Sequence, residues 1–167
     1  MKDLNLKFLN VKKKTIILPK INKSFEMEYI FHRGAVMIIP FLSTSEIVLI
    51  KQYRPVIDEY IYEFPAGTIE ENETPLFCAK REIIEEIEYK ANILEDYGYI
   101  YLAPGYSTEK LHIFVAKNLE KDITFKKDPD ELIKVKIFTK DDIKNLLKNR
   151  QIKDSKTLTG LGLIGWL

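Results

Sequence analysis

Within residues 79–88, AKREIIEEIE, three glutamates stand at offsets of 0, +3 and +4: Glu82, Glu85 and Glu86. On an α-helix those three carboxylates share one face. Leu76, Ile83, Ile84 and Ile87 fall on roughly the opposite side at about 100° per residue. Like charges at these spacings destabilise a helix by roughly 0.2–0.5 kcal/mol per pair. A hard divalent cation such as Mg²⁺ or Mn²⁺ reverses that sign, because carboxylate oxygens suit such ions and substrate phosphates often complete the shell. Read from the helix alone, the competing possibility is a solvated acidic face neutralised by Lys80, Arg81 and Lys90.

The surroundings favour the metal. Gly67 precedes Glu73 by six residues, and Glu73 precedes Arg81 by eight. The series Gly67, Glu73, Arg81, Glu82, Ile83, Glu85, Glu86 resembles the Nudix box, GX5EX7REUXEEXGU, where U is a bulky aliphatic residue. Two positions depart: Glu88 stands where the box has its final glycine, and Tyr89 where it has its last aliphatic residue. That glycine closes a helix in the left-handed conformation, where a glutamate is less comfortable. Beyond the box, Gln52-Tyr53-Arg54, Glu63-Phe64-Pro65-Ala66-Gly67, Pro104-Gly105-Tyr106-Ser107-Thr108-Glu109 and Asp154-Ser155-Lys156-Thr157 resemble the ADP-ribose pyrophosphatase branch of the family. Pro104 follows Tyr89 by fifteen residues, the branch's usual spacing.

The resemblance implies a set of roles. Glu82 and Glu86 are the main metal ligands, Glu85 shares a further ion, and the carbonyl of Ala66 completes the shell. Arg81 holds the cluster in place, pairing with Glu85 one turn on. Arg54 contacts substrate phosphate, which its forked guanidinium suits. Glu63 and Glu109 lie beside substrate or metals, and Gly105 and Tyr106 line the ribose or adenine pocket. Two or three Mg²⁺ ions bridge the diphosphate, water attacks one phosphorus without a covalent enzyme intermediate, and a carboxylate takes the proton. That base is expected on the loop Lys126-Lys127-Asp128-Pro129-Asp130-Glu131. Glu131, Asp130 and Asp128 all remain open there, and a box glutamate such as Glu85 is the fallback.

The elements that must position these groups are readable in outline. Segments 11–18 and 25–32 suggest a strand hairpin. Segments 35–41 and 47–53 are apolar and β-branched, as buried central strands are. A short strand at 60–64 ends at Pro65-Ala66-Gly67. Thr74 as N-cap and Pro75 at the first helical position open a helix over 75–87. Strands follow at 97–102, 112–116 and 134–138. Thr139 caps a helix with Asp141 and Asp142 in its first turn, running to about Lys148. A last short helix covers 157–167. The order predicts an α/β (α+β) fold, specifically a mixed-sheet α/β/α sandwich of the Nudix type. Residues 1–33 read as a hairpin involved in dimerisation, and 34–167 as the catalytic domain.

Composition narrows the class. The chain has 167 residues and a net charge of +1, with 26 Lys and Arg against 25 Asp and Glu. Dedicated nucleic-acid binders usually carry a strong basic excess. Cys78 is the single cysteine, which precludes an intrachain disulfide and reads as a small buried apolar residue. His32 and His112 match no ligand or triad spacing and read as structural. The start shows no signal-peptide pattern, and no apolar run approaches a membrane span. The expectation is a cytoplasmic homodimer that hydrolyses ADP-ribose to AMP and ribose 5-phosphate with Mg²⁺, without a nucleic-acid or membrane partner. The alternatives are another nucleoside diphosphate sugar, or a Nudix-fold binding module without turnover.

Overall fold

The structure, a computed structural model, describes residues 9–124 and 133–167. Its strands are β1 (Asn10–Leu18), β2 (Lys23–Phe31), β3 (Ala35–Ser43), β4 (Glu46–Arg54), β5 (Glu59–Glu63), β6 (Ala66–Thr68), β7 (Tyr89–Tyr101), β8 (Lys110–Lys121) and β9 (Ile133–Thr139). The helices are α1 (Pro75–Ile87), α2 (Lys140–Lys148) and α3 (Ser155–Leu163).

β3, β4 and β8 are apolar on both faces because both faces are covered. Val36, Ile38, Val48, Ile50, Phe114 and Ala116 pack with Cys78, Ala79, Ile83 and Ile87 of α1. The alternate residues Met37, Ile39, Ile47, Leu49, Ile113 and Val115 pack with Ile143 of α2, Leu161 of α3 and Trp166. This period of two, with a helix layer on each side, makes the α/β/α sandwich. Burying each such aliphatic side chain stabilises the fold by roughly 1.5–3 kcal/mol relative to exposure.

The sheet is mixed. β3 runs parallel to β8, and antiparallel to β6 and β4. β4 pairs antiparallel with β5 and β9, and β7 is antiparallel to β8. β3 meets β4 only near their joining turn, at Phe41↔Ile47 and Ser43↔Glu46. The two leaves therefore share a seam at one end, and their other ends carry β6 and β5. β1 and β2 form a separate two-stranded sheet over nine register pairs, Asn10↔Phe31 to Leu18↔Lys23. Among the described residues no helix is long and apolar enough to cross a membrane.

The structure corrects several expected boundaries. β7 begins at Tyr89 rather than 97, and β8 continues to Lys121 rather than 116. Lys117–Glu95 and Lys90–Glu120 ion pairs, at 2.8 and 3.2 Å, occupy that extension, so its polar sequence hides it from a hydrophobic pattern. Residues 66–68, expected as a closing turn, pair with β3 instead. α3 starts at Ser155 because Asp154, not a later residue, is its N-cap and accepts the Thr157 N–H at 2.8 Å. It ends at Leu163, where Gly165 at φ +69° and the 2.8 Å bond from Trp166 N–H to the Leu161 carbonyl form a Schellman closure. That closure turns the indole of Trp166 into the core.

Candidate active site

α1 carries two adjacent stripes, the residues of each about one turn apart. Ala79, Ile83 and Ile87 point into the sheet core. Cys78, Glu82 and Glu86 form the neighbouring stripe, and the two glutamates are only 9% and 4% exposed. The acidic cluster is therefore not a solvated face opposite the apolar one, as the spacing alone suggests; part of it is packed against β6. Leu76, expected on the buried side, is 42% exposed. The helix begins as expected, with Thr74 Oγ1 accepting from Phe77 N–H at 3.3 Å and Pro75 at the first position.

Two backbone features explain how charged side chains sit this deep. A Cβ added to Gly67 would fall on the Glu82 carboxylate, well inside van der Waals contact. The box glycine is thus the space Glu82 fills. One residue earlier, the Ala66 N–H donates to Glu86 Oε2 at 3.0 Å. Strand β6, between β3 and α1, is what presents both groups.

Arg81 ties the cluster together. Its Nε and Nη2 form a fork on Glu73 with both bonds at 3.0 Å. Nη1 donates to Glu82 at 2.6 Å and to Glu85 at 2.9 Å, and Nη2 reaches the Thr68 carbonyl at 3.3 Å. The bond to Glu73 leads in holding the guanidinium above its ordinary pKa. In return, Arg81 draws the Glu73 carboxyl down to about 2. Cys78 lies beneath this network with its thiol pushed up by burial, as befits an inert packed residue.

A second charged group spans the antiparallel pair β4 and β5, from the last residue of one to the last residue of the other. Arg54 grips Glu63 through Nε at 2.8 Å and Nη2 at 3.0 Å. Glu63 is 1% exposed, and Lys156 of α3 reaches it at 3.2 Å. Lys156 also pairs with Asp154 at 2.7 Å. Burial opposes both positive charges, but Glu63 and then Glu86 and Asp154 more than offset it at Arg54, and Asp154 and Glu63 do so at Lys156. Both cations stay firmly protonated. The segment 63–67 joins the two groups, with Glu63 at one end and Gly67 under Glu82 at the other.

Glu82, Glu85 and Glu86 offer hard oxygen donors of the kind Mg²⁺ accepts. Among the described residues no three His, Cys, Asp or Glu side chains are grouped so as to hold a metal ion, and Glu82 and Glu85 share Arg81 Nη1.

A family model described as the NUDIX domain matches residues 31–159. The chain belongs to the Nudix family. Similarity to the ADP-ribose pyrophosphatase of Bacillus subtilis (strain 168) reaches 33% identity over 81% of this chain and 74% of that one. The methanol dehydrogenase activator of Bacillus methanolicus is 35% identical over 78% of this chain and 71% of its own. A crystal structure of an ADP compounds hydrolase superposes with a TM-score of 0.81 at 23% identity, covering 95% of this chain and 85% of the other. That last likeness bears on the fold. The protein is a Nudix hydrolase.

In this Nudix hydrolase the remaining expected residues fall into two sets. Pro104–Glu109 is laced to β2: Ile30 N–H donates to the Tyr106 carbonyl at 2.8 Å, and Thr108 N–H to the Ile30 carbonyl at 3.0 Å. The Thr108 hydroxyl accepts from His32 N–H at 2.9 Å and donates to the His32 carbonyl at 3.1 Å. Tyr106 is 61% exposed, and a Cβ at Gly105 would meet nothing within 4 Å. Glu109 comes to 4.0 Å from His32 Nδ1. That nitrogen already accepts the Gly34 N–H at 3.0 Å, so His32 is a structural acceptor rather than a partner acid. His112 rests against Tyr99, ring centroids 5.7 Å apart. Glu131, with Asp128 and Asp130, lies outside the described residues.

The site also holds groups that sequence reasoning passed over. Asp154 and Lys156 are visible in the sequence only as a stretch resembling the branch, yet Lys156 reaches the buried Glu63 and Asp154 holds Lys156. Thr157 Oγ1 accepts the Phe64 N–H at 3.0 Å and donates to Asp154 at 2.8 Å, fixing α3 to the strand end. An acid three residues before a Thr at a helix start was the available signal. Gln52, two residues before Arg54, is 6% exposed, and its Oε1 has no hydrogen-bond partner among the described residues.

Proposed function

We propose that this enzyme hydrolyses the diphosphate bond of ADP-ribose, giving AMP and ribose 5-phosphate, with Mg²⁺ as its cofactor and Mn²⁺ as a substitute. The observation that carries the reading is the pairing of two unlike groups on one short segment. A carboxylate helix packs on Ala66-Gly67, and an anion-seeking guanidinium, Arg54, is held by Glu63 at the other end. A diphosphate needs both: cations on its oxygens and a fork for a phosphate. The activity for which the Bacillus subtilis relative is named supports ADP-ribose as the substrate.

In this reading Glu82 and Glu86 are the principal metal ligands, Glu85 serves a further ion, and the Ala66 carbonyl contributes a ligand. Bound divalent ions neutralise the charge that develops on the diphosphate in the transition state. Arg81 holds Glu82 and Glu85 in place through its shared Nη1. Arg54 binds a phosphate, with Glu63 setting the plane of its guanidinium. Gly105 and Tyr106 line the nucleoside or ribose side, and Glu109 borders it. A carboxylate accepts the proton of the attacking water; Glu131 is the proposed base and Glu85 the fallback. The substrate is a free small molecule, with neither nucleic acid nor membrane as partner, and the compartment is the cytoplasm.

The enzyme works as a homodimer in this proposal, with β1 and β2 helping to build the partner's site. Their exposed Val11, Ile17, Phe25 and Phe31 support it, Ile17 being 72% exposed. The laces from Ile30 and His32 to Tyr106 and Thr108 connect that hairpin to the substrate loop.

Product analysis with ADP-ribose, ADP-glucose and GDP-mannose in Mg²⁺ tests the substrate. ADP-ribose is expected to have the highest kcat/KM, and a much higher value for either other sugar nucleotide defeats the assignment. The name of the Bacillus methanolicus relative describes an effect on another enzyme, which favours a second reading as a binding module without turnover. Glu82→Gln and Glu86→Gln separate the two. The hydrolase reading expects kcat to fall by at least about a hundredfold with circular dichroism unchanged. Unchanged activity in both variants sinks the metal assignment.

A further inference from the structure

We propose that Lys156 is the standing counter-ion of Glu63, and that it allows Arg54 to pass from Glu63 to the diphosphate of the substrate. The inference rests on the functional reading above and extends it to a residue that reading does not use.

Glu63 is almost wholly buried, its side chain only 2% exposed, and it is claimed by two cations. Arg54 takes both of its oxygens, at 2.8 and 3.0 Å. Lys156 donates to Oε1 as well, at 3.2 Å. The two cations differ in what holds them. Arg54 is 41% exposed along its side chain and sits at the end of β4. Lys156 is 21% exposed and is pinned by Asp154 at 2.7 Å. Asp154 is itself fixed, capping α3 and accepting from the Thr157 N–H and hydroxyl, both at 2.8 Å. Thr157 in turn holds the Phe64 N–H, next to Glu63 in the chain.

The charges make the consequence. Arg54 and Lys156 balance Glu63 and Asp154. If Arg54 alone answered Glu63, moving it onto a phosphate would leave a buried carboxylate without a compensating charge, which is strongly unfavourable. With Lys156 in place, Glu63 keeps an ionised partner at every stage, and the transfer of Arg54 exchanges one anion for another. Lys156 is a positioning residue that acts through Glu63 and Arg54.

Lys156→Met, Lys156→Gln and Lys156→Arg test this, with Lys153→Met as a control because Lys153 pairs with Glu59 at the surface. Two readouts are needed: KM and kcat for ADP-ribose, and the affinity for inorganic pyrophosphate by calorimetry, which requires no turnover. Met and Gln are expected to raise KM and weaken pyrophosphate binding roughly ten- to hundredfold, kcat falling less than KM rises. Arg restores both to within about threefold by keeping the charge, and Lys153→Met matches the wild type. The proposal is overturned if Met and Gln lower thermal stability yet bind pyrophosphate like the wild type, if Arg is as impaired as Gln, or if the wild type does not bind pyrophosphate. Should Met not fold, the contrast between Gln and Arg decides. A wild type that binds pyrophosphate but cleaves no sugar nucleotide defeats the functional reading, and the variant series still judges Lys156.

Discussion

Gly67 is the residue on which the carboxylates of α1 depend most directly. Its missing side chain is the volume that the Glu82 carboxylate occupies. Gly67→Ala should push that carboxylate off β6 while leaving the core untouched. Since misplacing a reacting group by about 1 Å can cost on the order of a hundredfold, kcat/KM should drop by roughly that factor, with a melting temperature within a few degrees of the wild type. A wild-type rate in this variant refutes the packing argument. Glu73 gives a second prediction at this scale. Its carboxyl is lowered to about 2 by Arg81, so its contribution is fully present above the ordinary carboxylate value and is lost as pH falls towards 2. Glu73→Gln should therefore cost about 2 kcal/mol at neutral pH, and the difference from the wild type should vanish between about pH 5 and pH 2. Denaturant melts across that range measure it.

At the level of the element, α1 is held at both ends, and one end is strained. Glu88 follows Ile87 in the left-handed region, φ 61° and ψ 38°, with its N–H bonded to the Ile84 carbonyl at 2.9 Å. The helix exit thus keeps the geometry that the box glycine serves, even though the residue is a glutamate. The cause is the strand that comes next: β7 starts at once at Tyr89, and the Asp122 N–H at the end of β8 donates to the Glu88 carbonyl at 2.9 Å. The chain must reverse there, whatever residue it uses. Glu88→Gly should relieve about 1 kcal/mol of backbone strain, raising the melting temperature by roughly 2–4 °C, with kcat unchanged. A lower melting temperature means the glutamate's own contacts outweigh the strain.

For the whole molecule, the prediction concerns assembly. The β1–β2 sheet extends from the sandwich with apolar side chains on show, and in the proposed dimer these are covered. Light scattering should give twice the chain mass, and Ile17→Asp with Phe25→Asp should give a monomer with reduced kcat/KM for ADP-ribose. A wild-type monomer with full activity removes the partner's strands from the site.

The sequence by itself determined the carboxylate helix, its Thr74 cap, the central strands and the family, because each of those rests on local spacing. Three glutamates at 0, +3 and +4 share a face in any helix, and a β-branched run buried on both sides reads the same wherever it is placed. Only the tertiary structure decided the rest. Whether Glu82 and Glu86 face water or β6 depends on how α1 is rolled against a three-residue strand that looks like a turn. The reach of Lys156 to Glu63 joins residues 93 apart, a contact made by packing α3 against the end of β5 and by no periodicity in between. Arg54 could be named as a phosphate fork from its resemblance, but the buried charges that balance it became visible only once distant segments met.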